Sequence, residues 1–344
     1  MNILLTSHRF FPDLGGIETH SQILANFFLN AGHRVALATK SLEKLSSERT
    51  DFDFPIFRSP SARVLLNLYK KADVILQNNI QVQTLWPSFL LNKPVVITIQ
   101  TWIRSSSGHT RLLDHIKKIM LWRATYVVAI SESVRKRTFP KAVVIPNSYN
   151  NEIFKISKNI SRIREMVFVG RLVSDKGADL LVKVFASIAR DTHAMLTIVG
   201  KGPEEGALRD LVAKLGIQER VDFCGPLAGE ELAKMLSRHE IAVIPSIWEE
   251  PFGIVALEAA ACGCVVVGSD GGGLPDAIGP CGMLFKRGDP VDLEKVLRYL
   301  LKDSNLRNNI RESSGPHLEK HRMDLLSKKY LNLLENITKK KGLA

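Results

Sequence analysis

At 344 residues the chain exceeds one typical hydrophobic core and predicts two domains. Its 45% hydrophobic and 24% charged content is that of a globular protein; no apolar run approaches the ~20 residues that cross a bilayer, and MNILLTSHRFFPDLGG has no basic segment leading into an apolar core, so neither a membrane span nor a secretion signal is read. The net charge of +12 lies mostly in residues 1–150, with 19 Lys+Arg against 9 Asp+Glu, and without an aromatic stacking motif or a nucleic-acid module this favours an anionic membrane surface or acceptor over nucleic acid.

Asn2–Ser7 reads as a buried first strand. After Pro12, Gly15-Gly16 precedes a helical pattern from Ile17 to Asn30, with Ile23, Leu24, Phe27 and Phe28 at helix spacing, and Gly32 ends it. Strands follow at Val35–Ala38, Val74–Leu76, Val95–Ile99 and Tyr126–Ile130, alternating with helices. That rhythm predicts a doubly wound parallel sheet, whose ligands meet the loops at the carboxyl ends of the strands. Gly15-Gly16 stands at such an edge, where it is either a plain turn or a close approach of backbone to ligand. Glu18 and His20, just beyond, read as solvated first-turn residues or as groups reaching an acceptor. Gln100 follows the strand ending at Ile99, and His109 lies in a Ser/Gly-rich loop.

RLLDHIKKIMLWR, Arg111 to Arg123, is a basic amphipathic pattern that suits a helix packed on the sheet or one lying on anionic lipid. Arg135-Lys136-Arg137 and Lys141 add a second basic cluster. Met166–Gly170 is a strand, and Arg171 and Lys176 stand five residues apart on the turn after it: a diphosphate clamp, or two surface charges. Leu196–Val199 runs into Gly200-Lys201-Gly202-Pro203, which suggests a dinucleotide fingerprint but fails it, because Glu205 occupies the third glycine position. Strands at Val221–Gly225 and Ile241–Pro245 lead to IPSIWEEPFGIVALEAAACGCVVVGSDGGGLPD, Ile244 to Asp276. There Glu250 and Glu258 stand eight residues apart across Pro251-Phe252-Gly253; Ile254–Ala261 reads as a buried helix, Cys264–Val267 as a strand, and Gly271-Gly272-Gly273 follows. A helix opening at a glycine presents unpaired N–H groups and a positive dipole end, which favours a phosphate. Glu258 could accept from two sugar hydroxyls or merely favour that dipole. The chain ends in helices at Asp289–Leu301, Leu306–Ser313 and Leu325–Ile337, with Lys339-Lys340-Lys341 as a frayed end. Cys224, Cys262, Cys264 and Cys281 lack metal-ligand spacing and read as buried free thiols of a reducing cytoplasm.

Glu250, Phe252, Gly253, Glu258 and Gly272-Gly273-Leu274-Pro275, in this order and spacing, resemble the nucleotide-binding signature of glycosyltransferase family 4 (glycosyl transferases group 1), retaining enzymes of the GT-B fold. FFPDLGGIETH resembles the family's N-terminal glycine loop, Gly170-Arg171 with Lys176-Gly177 its cationic turn, and Ile145-Pro146-Asn147-Ser148 its hinge. The resemblance implies an α/β protein of two Rossmann-like doubly wound parallel-sheet domains facing a central cleft: 1–149 on the acceptor side, 150–318 binding the nucleotide sugar, and 319–344 a helix crossing back to the first.

It further implies transfer of a sugar from a nucleotide-diphosphate donor to a glycan or lipid-linked acceptor, with retention, in cell-surface polysaccharide or glycolipid synthesis, by a cytoplasmic enzyme peripheral to the inner face of the membrane. No metal or other cofactor is expected. Glu258 would hold the ribose hydroxyls. Glu250, with the backbone of Phe252, Gly253 and Ile254, would contact sugar and phosphates. Arg171 and Lys176 would take up charge on the leaving diphosphate, and Gly15, Gly16, Gly170, Gly200 and Gly202 would line the donor. The family carries a histidine where this chain has Gln100, which cannot carry a proton at neutral pH. A front-face transfer, in which the departing phosphate oxygen takes the acceptor's proton, needs no such base, and Gln100 would orient the sugar. Two other readings share the fold, a non-catalytic nucleotide-binding scaffold and a sugar-nucleotide epimerase.

Overall fold

Strands that are mostly apolar, such as Val95–Ile99 and Val265–Ser269, are buried residue by residue, as a parallel sheet covered on both faces requires. The computed structural model describes residues 1–11, 15–42, 52–103, 112–157 and 160–342; Pro12, His109 and Arg111 lie outside them. The chain divides into two units, Met1–Asn147 with Met323–Ala344, and Ser148–Arg322.

In the first unit, β1 (Asn2–Ser7), β2 (Arg34–Thr39), β3 (Ile56–Arg58), β4 (Val74–Asn78), β5 (Val95–Ile99), β6 (Tyr126–Ala129) and β7 (Val143–Val144) form one sheet in the order β3-β2-β1-β4-β5-β6-β7. In the second, β8 (Arg164–Val169), β9 (Leu196–Val199), β10 (Val221–Gly225), β11 (His239–Ile244), β12 (Val265–Ser269) and β13 (Gly282–Phe285) run β10-β9-β8-β11-β12-β13. Every pairing is parallel. Each unit has its own apolar core: Phe28, Leu76, Val96 and Tyr330 belong to the first, and Phe168, Phe185, Val267 and Leu297 to the second. These are two Rossmann-like doubly wound domains. In both sheets the order reverses beside the first strand, between β1 and β4 and between β8 and β11. Ligands of this architecture bind at the carboxyl edge of that switch point.

Three sequence expectations change. The helix Met323–Gly342 continues through Lys339-Lys340-Lys341 instead of fraying before them. Cys224 is exposed, because β10 is an edge strand whose alternate residues face outward, whereas Cys262, Cys264 and Cys281 are buried; all four thiols are free. His20 is neither solvated nor open to an acceptor. It is 3% exposed, its ring stands 5.5 Å from that of Tyr330 on the terminal helix, and burial pushes its pKa down to about 4.

Candidate active site

The loops after β8 and β11 meet at the switch point of the second unit. Behind β8, Ser174–Lys176 makes one 3-10 turn. The carbonyl of Asp175 in that turn accepts the backbone N–H groups of Ile247 and Trp248, both at 3.0 Å, which ties the two loops together. Lys176 then reaches Glu250 with Nζ–Oε1 of 2.5 Å, and the Ser246 hydroxyl donates to the same oxygen at 2.7 Å. Glu250 is 9% exposed, so its charge is sustained by these two donors rather than by water. Arg171 is exposed, and its guanidinium meets no carboxylate among the described residues, which leaves a cation open for an anionic ligand.

The glycine run after β12 fixes the backbone of Glu250. Gly273 N–H donates to the Glu250 carbonyl at 2.7 Å, and a Cβ on Gly272, at φ +70°, would lie 2.2 Å from that oxygen. Only glycine lets the two segments come this close. The spacing of the signature therefore has a cause: its glycines are the seat of its first glutamate.

The signature helix Ile254–Ala261 opens at Gly253, φ +102°, and its first N–H groups have no intrahelical acceptor. Phe252 is buried, its ring 6.0 Å from that of His321, so only its backbone is left for a ligand. The far end of the helix is held by Arg162, which donates to the Cys262 carbonyl at 2.9 Å. Glu258, on the second turn, is partly exposed, and among the described residues its carboxyl has no hydrogen-bond or salt-bridge partner. Burial pushes its pKa up to about 7. A carboxyl this poorly solvated is stabilised by whatever donates to it.

Beside these loops, Gly170 N–H donates to Val199 O at 3.0 Å, and Gly200 N–H to Gly225 O at 2.8 Å. A Cβ on Gly200, φ +146°, would stand 1.8 Å from the Gly170 carbonyl oxygen, and one on Gly202 2.1 Å from that of Leu172. These glycines join the β8 and β9 loops into one backbone layer. Gly200→Ala should therefore cost about 3 kcal/mol or more of folding stability, read as a lower urea midpoint at unchanged slope. Gly206→Ala, where a Cβ meets nothing within 4 Å, should not destabilise the fold.

The remaining expected residues gather at the switch point of the first unit. Gly15 caps the helix Gly16–Asn30 in extended conformation and accepts from Thr19 N–H at 3.0 Å. Gln100 is 5% exposed; its Nε2 donates to Asn78 Oδ1 at 2.9 Å, and its Oε1 accepts from Asn147 Nδ2 at 3.0 Å. Asn78 in turn donates to the Ile17 carbonyl and to Ser21 on the helix, at 3.0 and 2.6 Å. The amide of Gln100 thus links three loops of its own unit. A neutral histidine also offers one donor and one acceptor, but on two ring nitrogens instead of on one amide group.

Sequence reasoning did not find Ser246, Asp175 or Asn147. A serine inside an apolar strand end, as in IPSIW, was the available signal for Ser246; the other two act through partners distant in sequence. Among the described residues no His, Cys, Asp and Glu group is arranged to hold a metal ion, and no helix is long and apolar enough to cross a membrane.

The comparisons agree with this architecture. Residues 14–152 match the model of Glycosyltransferase Family 4, and residues 150–315 that of Glycosyl transferases group 1. The gpi3 subunit of the phosphatidylinositol N-acetylglucosaminyltransferase of Schizosaccharomyces pombe is 26% identical over 333 residues, 87% of this chain and 72% of that protein. A D-inositol 3-phosphate glycosyltransferase of Corynebacterium jeikeium is 37% identical over 169 residues, 46% of this chain and 40% of that one. HepE of Anabaena, solved with UDP and glucose, superposes with a TM-score of 0.81 at 18% identity, over 98% of this chain and 100% of that one. With the two family models matching residues 14–315 between them and both parallel-sheet domains in place, the chain belongs to glycosyltransferase family 4, and it is a glycosyltransferase of the GT-B fold.

Proposed function

We propose that the protein transfers a sugar from a nucleoside-diphosphate donor to a glycan or lipid-linked acceptor, with retention at the anomeric carbon, at the cytoplasmic face of a membrane. The observation that carries this is the Glu258 carboxyl, without a partner among the described residues, one turn inside the signature helix, with Lys176 and Arg171 gathered at the same sheet edge. A ribose offers two adjacent hydroxyl donors to such a carboxyl, and the diphosphate offers its charge to the two cations and to the helix N-terminus.

In the reaction the bond from the anomeric carbon to the diphosphate oxygen breaks, its electron pair leaving with the diphosphate. Lys176 and Arg171 stabilise that developing charge, which needs no metal ion. The acceptor oxygen bonds to the anomeric carbon on the same face, and its proton passes to the departing phosphate oxygen. Glu250, fixed by Lys176, Ser246 and Gly273, orients the sugar hydroxyls. Gly15, Gly16 and Gln100 are the first unit's own candidates for contact with a sugar. The names of these relatives support a nucleotide-sugar donor and an acceptor that carries inositol phosphate as the class to try first.

Thermal unfolding against UDP, GDP, ADP, CMP and TDP tests the donor site. One diphosphate at about 100 times its dissociation constant should add roughly 2.7 kcal/mol to stability, and Glu258→Ala should lose most of that gain. An equal gain in both proteins would remove Glu258 from the nucleotide site. Incubation with the matching sugar nucleotide should then give slow release of diphosphate, faster with acceptor; a bound but inert donor would favour the scaffold reading.

A further inference from the structure

One face of the first unit presents large apolar side chains that its core does not use. Leu90 is 68% exposed, Trp122 64%, Ile119 55%, Phe89 41% and Tyr126 40%. Singly these would be ordinary, but Ile119 and Trp122 lie on one helix and Phe89 and Leu90 line a groove beside it. Ile119 and Trp122 share one side of the helix Leu112–Arg123, whose opposite side buries Met120 and Leu121. Arg123, next along, stacks on the Phe89 ring at 5.1 Å. The Phe139 ring stands edge-on to Trp122 at 5.3 Å, and Lys141 Nζ lies 4.4 Å from the Trp122 centroid. A groove of about 250 Å³ runs between Phe89, Leu90, Met120 and Arg123.

Charge is concentrated on the same stretch. Residues 86–145 hold ten Lys and Arg against two acids, Asp114 and Glu132, a balance of +8 out of the protein's +12. Both acids are already paired within their own helices, Asp114 with Lys117 at 3.8 Å and Glu132 with Arg135 at 2.8 Å. Lys118, Arg123, Lys136 and Lys141 are exposed around the aromatic centre.

We propose that this face docks the protein on a bilayer bearing anionic lipid. Trp122, Ile119, Phe89 and Leu90 enter the boundary between headgroups and acyl chains, and the four cations meet lipid phosphates. Cations stacked on aromatic rings suit that boundary, where one end of each pair is apolar and the other wet. A second copy of this chain is a poorer occupant, because a self-complementary contact through the face would oppose two strongly basic surfaces. The proposal rests on the lipid-linked acceptor reading for its purpose only, and it is tested without donor or acceptor.

The full chain should sediment with vesicles of phosphatidylcholine plus phosphatidylglycerol, not with phosphatidylcholine alone, and salt should release it. Trp122→Ser with Ile119→Ser should abolish sedimentation. Lys118→Glu and Lys141→Glu should each weaken it about fivefold or more. Tyr299→Ser, a change of an exposed aromatic on the second unit, should leave it intact. Each variant should unfold at close to the wild-type urea midpoint and slope, which shows that it is folded. No binding, binding indifferent to lipid charge, or undiminished binding by the Trp122 variant would overturn the proposal. So would a dimer in solution that Trp122→Ser dissolves. None of these outcomes depends on whether a nucleotide binds, so failure here and failure of the donor site are distinguishable.

Discussion

Lys176→Met should lower kcat by about 10²–10³ while KM for the sugar nucleotide rises only a few-fold, because the charge on the diphosphate is greatest as the glycosidic bond breaks. The same change strands Glu250. With Ser246 its only other side-chain donor among the described residues, a carboxylate 9% exposed loses the cation 2.5 Å away. Loss of a hydrogen bond to a charged partner costs about 1.5–3 kcal/mol, so the variant should also unfold at lower urea concentration. These two losses have different origins and can be separated. The double variant Lys176→Met, Glu250→Gln removes the buried charge as well as its partner and should recover most of the stability, yet none of the rate. Recovery of rate together with stability would mean that Lys176 serves only to hold Glu250, and the leaving-group role would pass to Arg171 alone. Arg171→Met, on an exposed side chain with no carboxylate partner among the described residues, should leave stability unchanged and lower kcat, which is the cleaner measure of that role.

How much of this was legible in the sequence can be judged residue by residue. The signature helix was readable to its ends, Ile254–Ala261, because a positive-φ glycine starts it and a small-residue apolar run fills it. Strands β1, β4, β5 and β6 were visible as short apolar runs between turn residues. Strands β3 and β7 were not, since Ile56–Arg58 is three residues long, Val143–Val144 two, and both lie at sheet edges where little needs burying. Within the site, the residues of the signature were legible as types and spacings, but their couplings were not. Gly273 holding the Glu250 carbonyl, and Asp175 holding Ile247 and Trp248, are backbone bonds, to which sequence patterns are blind. His20 was misread for a related reason. Its place in the first turn of a helix suggested solvent, and only the return of Tyr330 from more than three hundred residues away buries it.

Glu258 should make donor binding depend on pH in a way that its own replacement abolishes. In the folded protein without ligand its pKa is raised from 4.5 to about 7 by burial, with no partner among the described residues to offset the loss of water. The sign follows directly. Below pH 4.5 the carboxyl is protonated in folded and unfolded chains alike. Between 4.5 and 7 the unfolded chain releases the proton and the folded one keeps it, so stability falls as pH rises; above 7 the penalty is full and constant. Glu258→Gln should accordingly be more stable than the wild type at pH 8 and no more stable at pH 4. Ribose hydroxyls donate to the charged form, so binding pulls the carboxyl's pKa back down. Affinity for the sugar nucleotide should therefore rise by up to about tenfold per pH unit between pH 5 and 7 and level off above, with a proton released to the buffer on binding below and around 7. Calorimetry in two buffers of different ionisation enthalpy reads that proton. The glutamine variant should bind more weakly at pH 8, release no proton, and show no slope beyond that of the ligand's own phosphates. A wild-type profile as flat as the variant's would mean that the Glu258 carboxyl is not what the ribose meets. A group that weakens the empty protein and strengthens the loaded one is the mark of a binding residue rather than of a helix start, where a carboxylate favours the dipole and lowers the free energy of the fold with or without ligand.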